Sequence, residues 1–372
     1  MTQLCTSYLQ LIGSYAKETE PSIHSVRYIP PTAGESQHLD STLQVIHSVS
    51  QIVNPSYITL HPTLPRVYVA SEQLDDSGSL AVYELDPTHG TLTYRHSQTI
   101  TDASPCFVTV DATGRYLLSA NYLGGSITLC TLDEDGNISS KVQEIFHTGF
   151  GPRSDRQERA HPHAITFDAH NRFALVTDLG TDEMVIYQLD TIKSQLTRIH
   201  AYHFTPGSGP RLFLFHPNNN EIGYAICELN NTIVAFHYEP ADGSLQPTQT
   251  VSTLPEDWSP TVETPHVEIN TASHLAFSPD ARFLYASNRG HDSLVVFAIE
   301  QTGGSLRAIQ WISTEGHTPR HFAITKDGLS LFVANQDSNS VVVFAIDKTT
   351  GLLHATGTHL TVASPSCVTI VQ

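Results

Sequence analysis

Four side chains that could do chemistry interrupt an otherwise regular pattern in this chain. They are His163 in HPHAITFD, Arg211 in GPRLFLFHP, Glu228 in AICELNN and Arg289 in SNRGHDS. Arginine binds carboxylate or phosphate through a fork of N–H donors and can polarise a carbonyl oxygen. Glutamate or histidine can move a proton or activate a water molecule. Brought together, these residue types would suit an anionic substrate that carries a carbonyl group.

The elements that must position these residues are copies of one repeated segment. Six copies begin at Asn54, Ser104, His161, Gly209, Ser273 and Thr318. Their opening residues (Pro55, Pro105, Pro162, Pro210, Ser273 and Pro319) lie 46 to 63 residues apart, and a further opening, SPSCVTI, begins at Ser364. Each copy contains short runs rich in Val, Ile, Phe and Tyr, separated by Gly, Asp, Asn and Pro, which indicate four antiparallel strands. Such a repeat predicts an all-β β-propeller with one blade per copy.

The two ends of the chain supply the remaining blade. SPSCVTI gives one strand, and LQLIGSY, SIHSVRYI and LQVIHSVS, between residues 9 and 50, look like three more. A blade shared between the two ends would close the ring and remove an exposed sheet edge. The sequence therefore predicts seven four-stranded blades and one domain over residues 1–372.

The order of strands predicts which residues meet at the mouth of the central channel. In an antiparallel blade, the start of the first strand and the end of the second lie on the same face. Strand-one starts add His161, Arg320 and His321 to the four residues above, and these three are candidate substrate-binding residues. Long insertions at 147–160 and 252–272 precede a first strand and should lie on that face. The strand-two ends carry Glu72, Asn121, Asp178, Glu228, Asn288 and Asn335.

Asn121 and Asp178 are further candidates for substrate binding, but an Asn at a strand end commonly caps a turn, as expected for Asn121, Asn288 and Asn335. Residues that recur at one repeat position have a structural interpretation. An arginine opens the second strand in four copies and should pair with a blade edge or a turn carbonyl. These arginines are Arg66, Arg115, Arg172 and Arg282.

The overall composition excludes several classes of partner. The net charge is −18, with 19 Lys and Arg against 37 Asp and Glu, so neither nucleic acid nor an anionic membrane is an expected partner. No stretch approaches the roughly 20 apolar residues of a membrane helix, and the first residues do not resemble a signal peptide. Five widely spaced cysteines (5, 106, 130, 227 and 367) suggest packed, reduced thiols and a cytoplasmic protein. A monomer or weak homodimer is expected.

Five motifs together resemble the seven-bladed propeller lactonases, from about Leu11 to the end of the chain. They are HPHAITFD, SGPRLFLFHP, ELNNTI, FSPDARFLYASNRGHDS and TPRHFAITKDGLSLFVANQDSNSVVVF. That family includes the cycloisomerase-type 6-phosphogluconolactonases and the 3-carboxymuconate lactonising enzymes. The resemblance implies chemistry at the channel mouth without a metal or other cofactor, carried by His163, Arg211, Glu228 and Arg289. One departure is Leu212, where bacterial members usually have a histidine.

The resemblance leaves two reactions open. Hydrolysis of a sugar-phosphate lactone is favoured; in it Arg211, Arg289 and Arg320 would hold the phosphate and the developing oxyanion while Glu228 or His163 activates water. The alternative is a muconate-type cyclisation, for which the same four side chains could serve.

Two further interpretations of the function remain open: a metal-dependent lactonase and a non-enzymatic binding protein. Glu72, Asn121, Asp178 and Glu228 could form an oxygen cage for a divalent metal such as calcium. A non-enzymatic propeller would instead show an exposed aromatic patch, for which Tyr122, Trp258 and Trp311 are candidates.

Overall fold

The protein is a seven-bladed β-propeller. The computed structural model describes residues 7–16, 20–31, 41–73, 78–100, 104–259 and 270–371. These residues form seven sheets, each of four antiparallel strands, and contain no helix. The predicted fold class, blade count and strand count per blade are confirmed.

The blades are numbered along the chain from the one that joins its two ends. Blade 1 contains β28 (Pro365–Ile370), β1 (Tyr8–Ser14), β2 (Ile23–Ile29) and β3 (Thr42–Val49); blade 2, β4 (Pro55–Leu60), β5 (Arg66–Ser71), β6 (Ser79–Asp86) and β7 (Thr91–Thr99); blade 3, β8 (Pro105–Val110), β9 (Tyr116–Asn121), β10 (Ser126–Leu132) and β11 (Ile138–Phe146).

The other four blades follow the same order from the channel outwards. Blade 4 contains β12 (Pro162–Phe167), β13 (Phe173–Asp178), β14 (Glu183–Asp190) and β15 (Gln195–His203); blade 5, β16 (Pro210–His216), β17 (Asn219–Cys227), β18 (Thr232–Tyr238) and β19 (Leu245–Ser252); blade 6, β20 (Thr271–Phe277), β21 (Phe283–Arg289), β22 (Ser293–Ile299) and β23 (Leu306–Ser313); blade 7, β24 (Pro319–Ile324), β25 (Ser330–Asn335), β26 (Ser340–Ile346) and β27 (Leu353–Thr361).

Burial follows the position of a strand within its blade. The second strands β9, β13 and β25 are buried along their whole length. In the outer strands β7 and β15, exposed residues are interspersed with buried and half-buried ones. A strand covered on both faces is a continuous apolar run, and one covered on a single face alternates. Apolar side chains fill the space between blades; Val176, Ile226 and Leu284 belong to one core that spans several blades. The blades are therefore held together by side-chain packing rather than by a shared sheet.

Blade 1 closes the ring. β28 pairs with β1, with Ile12 opposite Val368. It also contacts β4 of blade 2, where the Ser366 hydroxyl donates to the Pro55 carbonyl at 2.5 Å and the Thr369 hydroxyl donates to the Ile58 carbonyl at 2.8 Å. The predicted closure by the two ends of the chain is confirmed.

Candidate functional site

Each innermost strand carries a β-bulge near its start. In blade 4, Pro162 pairs with Asp178 and Ala164 with Thr177, which leaves His163 as the extra residue. A bulge re-aims one side chain without breaking the sheet. The extra residues of blades 1 to 5 and 7 line one cavity at the propeller centre: Ser366, Ser56, Cys106, His163, Arg211 and Arg320. Bulge geometry thus places three of the predicted site residues on the channel wall.

Glu228 is out of register with the other predicted strand ends. The opening proline of the inner strand pairs with Asn121 in blade 3, Asp178 in blade 4 and Cys227 in blade 5. Glu228 therefore lies one residue beyond the position of Asn121 and Asp178, not at it. It is the first turn residue after β17, whereas Asn121 and Asp178 end their strands.

Asn121 and Asp178 are fully buried and are used by their own blades. The Asn121 amide donates to the hydroxyls of Ser126 and Thr128, and Asp178 Oδ1 accepts from the backbone N–H groups of His161 and Gly180. Both side chains thus stabilise local turns, and neither is among the residues that line the central cavity. Their contact with substrate stays a prediction.

Asn288 and Asn335 have the capping role that the sequence suggested. Their amides donate to the carbonyls of Thr253 and Thr314, at 2.9 and 3.0 Å. Each holds the segment that arrives from an outer strand.

Glu228 is the centre of the channel-mouth cluster. It is 2% exposed and three guanidinium groups converge on it: Oε2 lies 3.0 Å from Arg211 Nε and 2.8 Å from Arg289 Nη2, and Oε1 lies 2.5 Å from Arg156 Nη2. Arg211 is anchored further by a 2.6 Å hydrogen bond to the Ser273 carbonyl. The structure thus brings Arg211, Glu228 and Arg289 together, with a third arginine that the sequence did not indicate.

The charges in this cluster control its protonation. Burial alone would raise the pKa of Glu228, but the charges of Arg289, Arg156 and Arg211 outweigh it and hold that pKa well below its usual value. Burial, together with the charge of Arg289, lowers the pKa of Arg211 to about 10. Burial also lowers the pKa of His163 well below its usual value, and the Arg211 charge acts in the same direction. At neutral pH the site therefore holds an ionised carboxylate and a neutral imidazole.

Two histidines and Tyr122 form one wall of the mouth. The His161 ring stacks on Tyr122 with centroids 4.4 Å apart, and its Nδ1 lies 2.8 Å from the Tyr122 carbonyl. His163 meets the edge of the same tyrosine at 5.7 Å. His161 thus supports the Tyr122 ring, whereas His163 lines the cavity.

A second, smaller charged group faces the first across the channel. Arg320 Nη2 lies 3.6 Å from Glu72 Oε2, and the Tyr15 hydroxyl donates to the same oxygen at 2.6 Å. Deeper in the channel, the rings of His321 and His274 lie 3.7 Å apart. Burial, followed by the charges of Arg211 and Arg320, lowers the pKa of His321 to about 3. Arg320 and His321 are therefore both channel residues, as predicted, but His321 is a neutral part of its floor.

The insertion at 147–160 reaches the mouth as expected and supplies the unpredicted Arg156. Gln157 fixes this loop: it is fully buried, its amide donates to the Leu179 carbonyl at 2.8 Å, and its own carbonyl accepts from Gly151. Gly180 permits the close approach of the loop, since a Cβ there would lie 1.9 Å from the Arg159 carbonyl oxygen. The sequence signal for Arg156 was the charged composition of the insertion. An alignment of the repeats does not include this insertion. Of the insertion at 252–272, residues 260–269 lie outside the described residues.

The alternatives from other classes find little support in this arrangement. Glu72 and Glu228 are paired with arginines, Asn121 and Asp178 cap turns, and no group of three His, Cys, Asp or Glu side chains in the described ranges could hold a metal ion. The four residues of the proposed oxygen cage are thus engaged with arginines or turns in this structure. Tyr122 stacks on His161 within the site, whereas Trp311 is 37% exposed on an outer strand of blade 6, where it donates to the Thr253 carbonyl. The two therefore do not form one patch.

The match to known proteins extends along almost the whole chain. Residues 10–370 match the family model described as lactonase, 7-bladed beta-propeller. The chain belongs to the seven-bladed propeller lactonases. A protein named 6-phosphogluconolactonase from Bacillus subtilis is 32% identical over 84% of this chain and 83% of its own length, and one of the same name from Formosa agariphila is 34% identical over 73% and 76%.

Solved structures of propeller lactonase type superpose closely on this one. A Bacteroides fragilis protein, 29% identical, has a TM-score of 0.87 with 100% of this chain and 99% of its own covered. The periplasmic gluconolactonase of Pseudomonas aeruginosa, 27% identical, has a TM-score of 0.86 with 99% of each chain covered. Within this lactonase fold, Leu212 lines the cavity and is 3% exposed.

Four of the five cysteines, Cys106, Cys130, Cys227 and Cys367, are free and buried, which confirms the predicted packed thiols; Cys5 lies outside the described residues. The described residues include no helix that is long and apolar enough to cross a membrane.

Proposed function

We propose that this lactonase hydrolyses the lactone of a phosphorylated sugar acid, 6-phosphogluconolactone. The charge of the channel mouth carries the proposal. Four guanidinium groups (Arg156, Arg211, Arg289 and Arg320) meet two carboxylates (Glu228 and Glu72). Two positive charges are left over, in a protein whose net charge is −18. A phosphomonoester carries a charge of about −1.5 to −2 at neutral pH, so it matches this excess.

The names of the relatives support the same substrate class. The Bacillus subtilis and Formosa agariphila proteins are named for the phosphorylated lactone, and the Pseudomonas aeruginosa protein is named a gluconolactonase. Both names describe a six-carbon sugar-acid lactone, and they differ in the phosphate group. The excess positive charge of this site favours the phosphorylated form.

The arrangement can perform ester hydrolysis. Water attacks the lactone carbonyl carbon, the carbonyl oxygen becomes an oxyanion, and the ring C–O bond then breaks as the ring oxygen takes up a proton. Arg211 and Arg289, fixed by Glu228 and by backbone carbonyls, are rigid donors for that oxyanion. Either His163 or Glu228 takes the proton from water. A bound dianion would offset the arginine charges that depress both pKa values, so both groups become stronger bases in the complex.

The test is hydrolysis of freshly generated 6-phosphogluconolactone, followed with a coupled dehydrogenase and compared with spontaneous opening. We expect a rate above background that chelators do not change. Glu228→Gln should lower kcat by about 10²- to 10⁴-fold, because it removes the charge that fixes three guanidinium groups. Glu84→Gln is the matched control, since Glu84 forms surface ion pairs with Arg66 and Arg95.

Three outcomes would contradict the proposal or its metal-free chemistry. A wild-type rate equal to spontaneous opening would remove this substrate and direct the search to the carboxymuconate cyclisation. A Glu228→Gln variant as active as the Glu84→Gln control would place the reaction outside the Glu228 cluster. A loss of activity on chelation would point to metal-assisted hydrolysis.

A further inference from the structure

Arg156 differs from the other arginines of the mouth in its exposure. Its side chain is 32% exposed, against 8% for Arg211, 14% for Arg289 and 18% for Arg320. It is also the one of the four that lies on a loop between blades rather than on a strand. Arg156 is thus the outermost positive charge of the cluster, and the first that an anion entering from solvent would meet.

The loop holds Arg156 in place before any ligand binds. The Gln157 side chain, immediately next to it, is hydrogen-bonded to the Leu179 carbonyl and to the Arg153 backbone N–H, which lies 3.2 Å away. Glu158, on the other side of Gln157, lies 3.2 Å from His161 Nε2. A guanidinium that is already positioned loses little conformational entropy when it binds an anion.

The contacts of Arg156 leave one edge of its guanidinium facing away from Glu228. Nη2 donates both to Glu228, at 2.5 Å, and to the Tyr122 hydroxyl, at 3.3 Å. Nε and Nη1 are not used in these two contacts, and each presents N–H donors that can give a charge-assisted hydrogen bond to a phosphate oxygen. One residue can therefore hold Glu228 on its inner side and a phosphate on its outer side.

We propose that Arg156 forms the phosphate subsite of this enzyme, at the rim of the channel, and selects phosphorylated over unphosphorylated lactones. The inference rests on the proposed function and extends it by naming the residue that reads the phosphate. The most hydrated part of the substrate stays at the rim, while the lactone ring enters the cavity towards His163 and Arg211.

The test compares two substrates, 6-phosphogluconolactone and gluconolactone, in the wild type and three variants. Arg156→Gln should raise KM for the phosphorylated lactone about 10- to 100-fold, the range expected for a lost charged hydrogen bond, and change KM for gluconolactone little. Arg156→Lys should restore part of the loss, because it keeps the positive charge but not the guanidinium donors. Arg153→Gln is the matched control: it lies on the same loop with the same 32% exposure, but pairs with Asp155.

The ratio of the two KM values is the deciding quantity. Removing Arg156 also takes a positive charge from Glu228, but that effect is common to both substrates and cancels in the ratio. If Arg156→Gln weakens both substrates equally, Arg156 acts only through Glu228 and the inference is overturned, while the proposed function stands.

A binding measurement separates the two proposals when no lactone is hydrolysed. Calorimetry with the products, 6-phosphogluconate and gluconate, needs no catalysis. Wild type that binds 6-phosphogluconate at least tenfold more tightly, with the preference lost in Arg156→Gln, supports the subsite even though the hydrolase proposal has failed. Equal preference in wild type and Arg156→Gln overturns it.

Discussion

The two ends of the propeller both carry arginines, and the two sets contact different partners. At the channel mouth, Arg211 and Arg289 are buried and meet the carboxylate of Glu228. At the opposite end, Arg66 Nε donates to the Asp135 carbonyl at 2.8 Å, and Arg172 and Arg282 donate to the carbonyls of Pro240 and Lys348. Each of these reaches a turn of the next blade, as the sequence predicted.

Repetition distinguishes the two sets. The arginines of the far end recur at the start of the second strand in blades 2, 3, 4 and 6. Three of them donate to backbone carbonyls of the next blade, and Arg66 and Arg282 also pair with Glu84 and Asp280 of their own blades. At the mouth, Arg211 lies at a bulge position that blades 1, 2 and 3 fill with Ser or Cys. Burying several like charges costs free energy, so a charged cluster that occurs in only one part of the ring indicates a functional role. A contact that recurs from blade to blade instead indicates a structural role in joining the blades.

Removing one arginine from each end should give the largest contrast. Arg211→Met loses a donor near the proposed oxyanion, and we expect kcat/KM for the lactone to fall by about 10²- to 10³-fold. Arg172→Met, at the other end, should leave kcat/KM unchanged. Steady-state kinetics on both variants checks this. Similar losses in the two would mean that the arginines of both ends act through the stability of the ring.

Acidification should destabilise the mouth end through its buried histidines. The pKa values of His163, His274 and His321 lie below the ordinary value of 6.5, chiefly because of burial. Below pH 6.5 these histidines are therefore protonated in the unfolded chain but remain neutral in the folded protein. As a result, the free energy of unfolding falls as the pH falls. The expected slope is roughly 1.4 kcal/mol per pH unit for each of these histidines.

One substitution isolates this effect. His321→Asn should remove about 1.4 kcal/mol per pH unit from the slope between pH 6 and 5, as measured by denaturant unfolding at several pH values. His354→Asn, on an exposed position of an outer strand, should leave the slope as it is. An unaltered slope in His321→Asn would show that the channel floor takes up protons while folded.

The smallest effect is expected from the far end alone. Arg282→Ala loses its contacts with the Lys348 carbonyl and with the Phe283 ring, 5.2 Å away. We expect a loss of about 1 kcal/mol in the free energy of unfolding and no change in kcat. A thermal unfolding scan beside an activity assay tests both parts; reduced kcat at full stability would contradict the structural role.

The sequence predicted the fold in detail because it contains recognisable copies of one repeated segment. Alignment of copies located the blades, and an unpaired opening at Ser364 indicated how the ring closes. His163, Arg211, Glu228 and Arg289 were recognisable as departures from the repeat. The structure places all four at one channel mouth.

The features that the sequence did not reveal depend on local geometry. The opening proline pairs with Asn121 in blade 3 but with Cys227 in blade 5, so the position of Glu228 relative to Asn121 was misassigned by one residue. Arg156 lies on an insertion outside the aligned repeat, so no departure from the repeat could mark it. Whether a charged loop residue meets Glu228 depends on how Gln157 folds the loop.

The closure of blade 1 has a consequence for how the protein is made. β1 leaves the ribosome early and β28 follows more than 350 residues later, so the first blade waits without its innermost strand while six others are completed. During that interval the edge of β1 is open to pairing with strands of other nascent chains, the hazard of any unpaired edge. A circular permutation that joined β28 to β1 by a short turn and opened the chain between two other blades would make this pairing local. That permutant should aggregate less during synthesis.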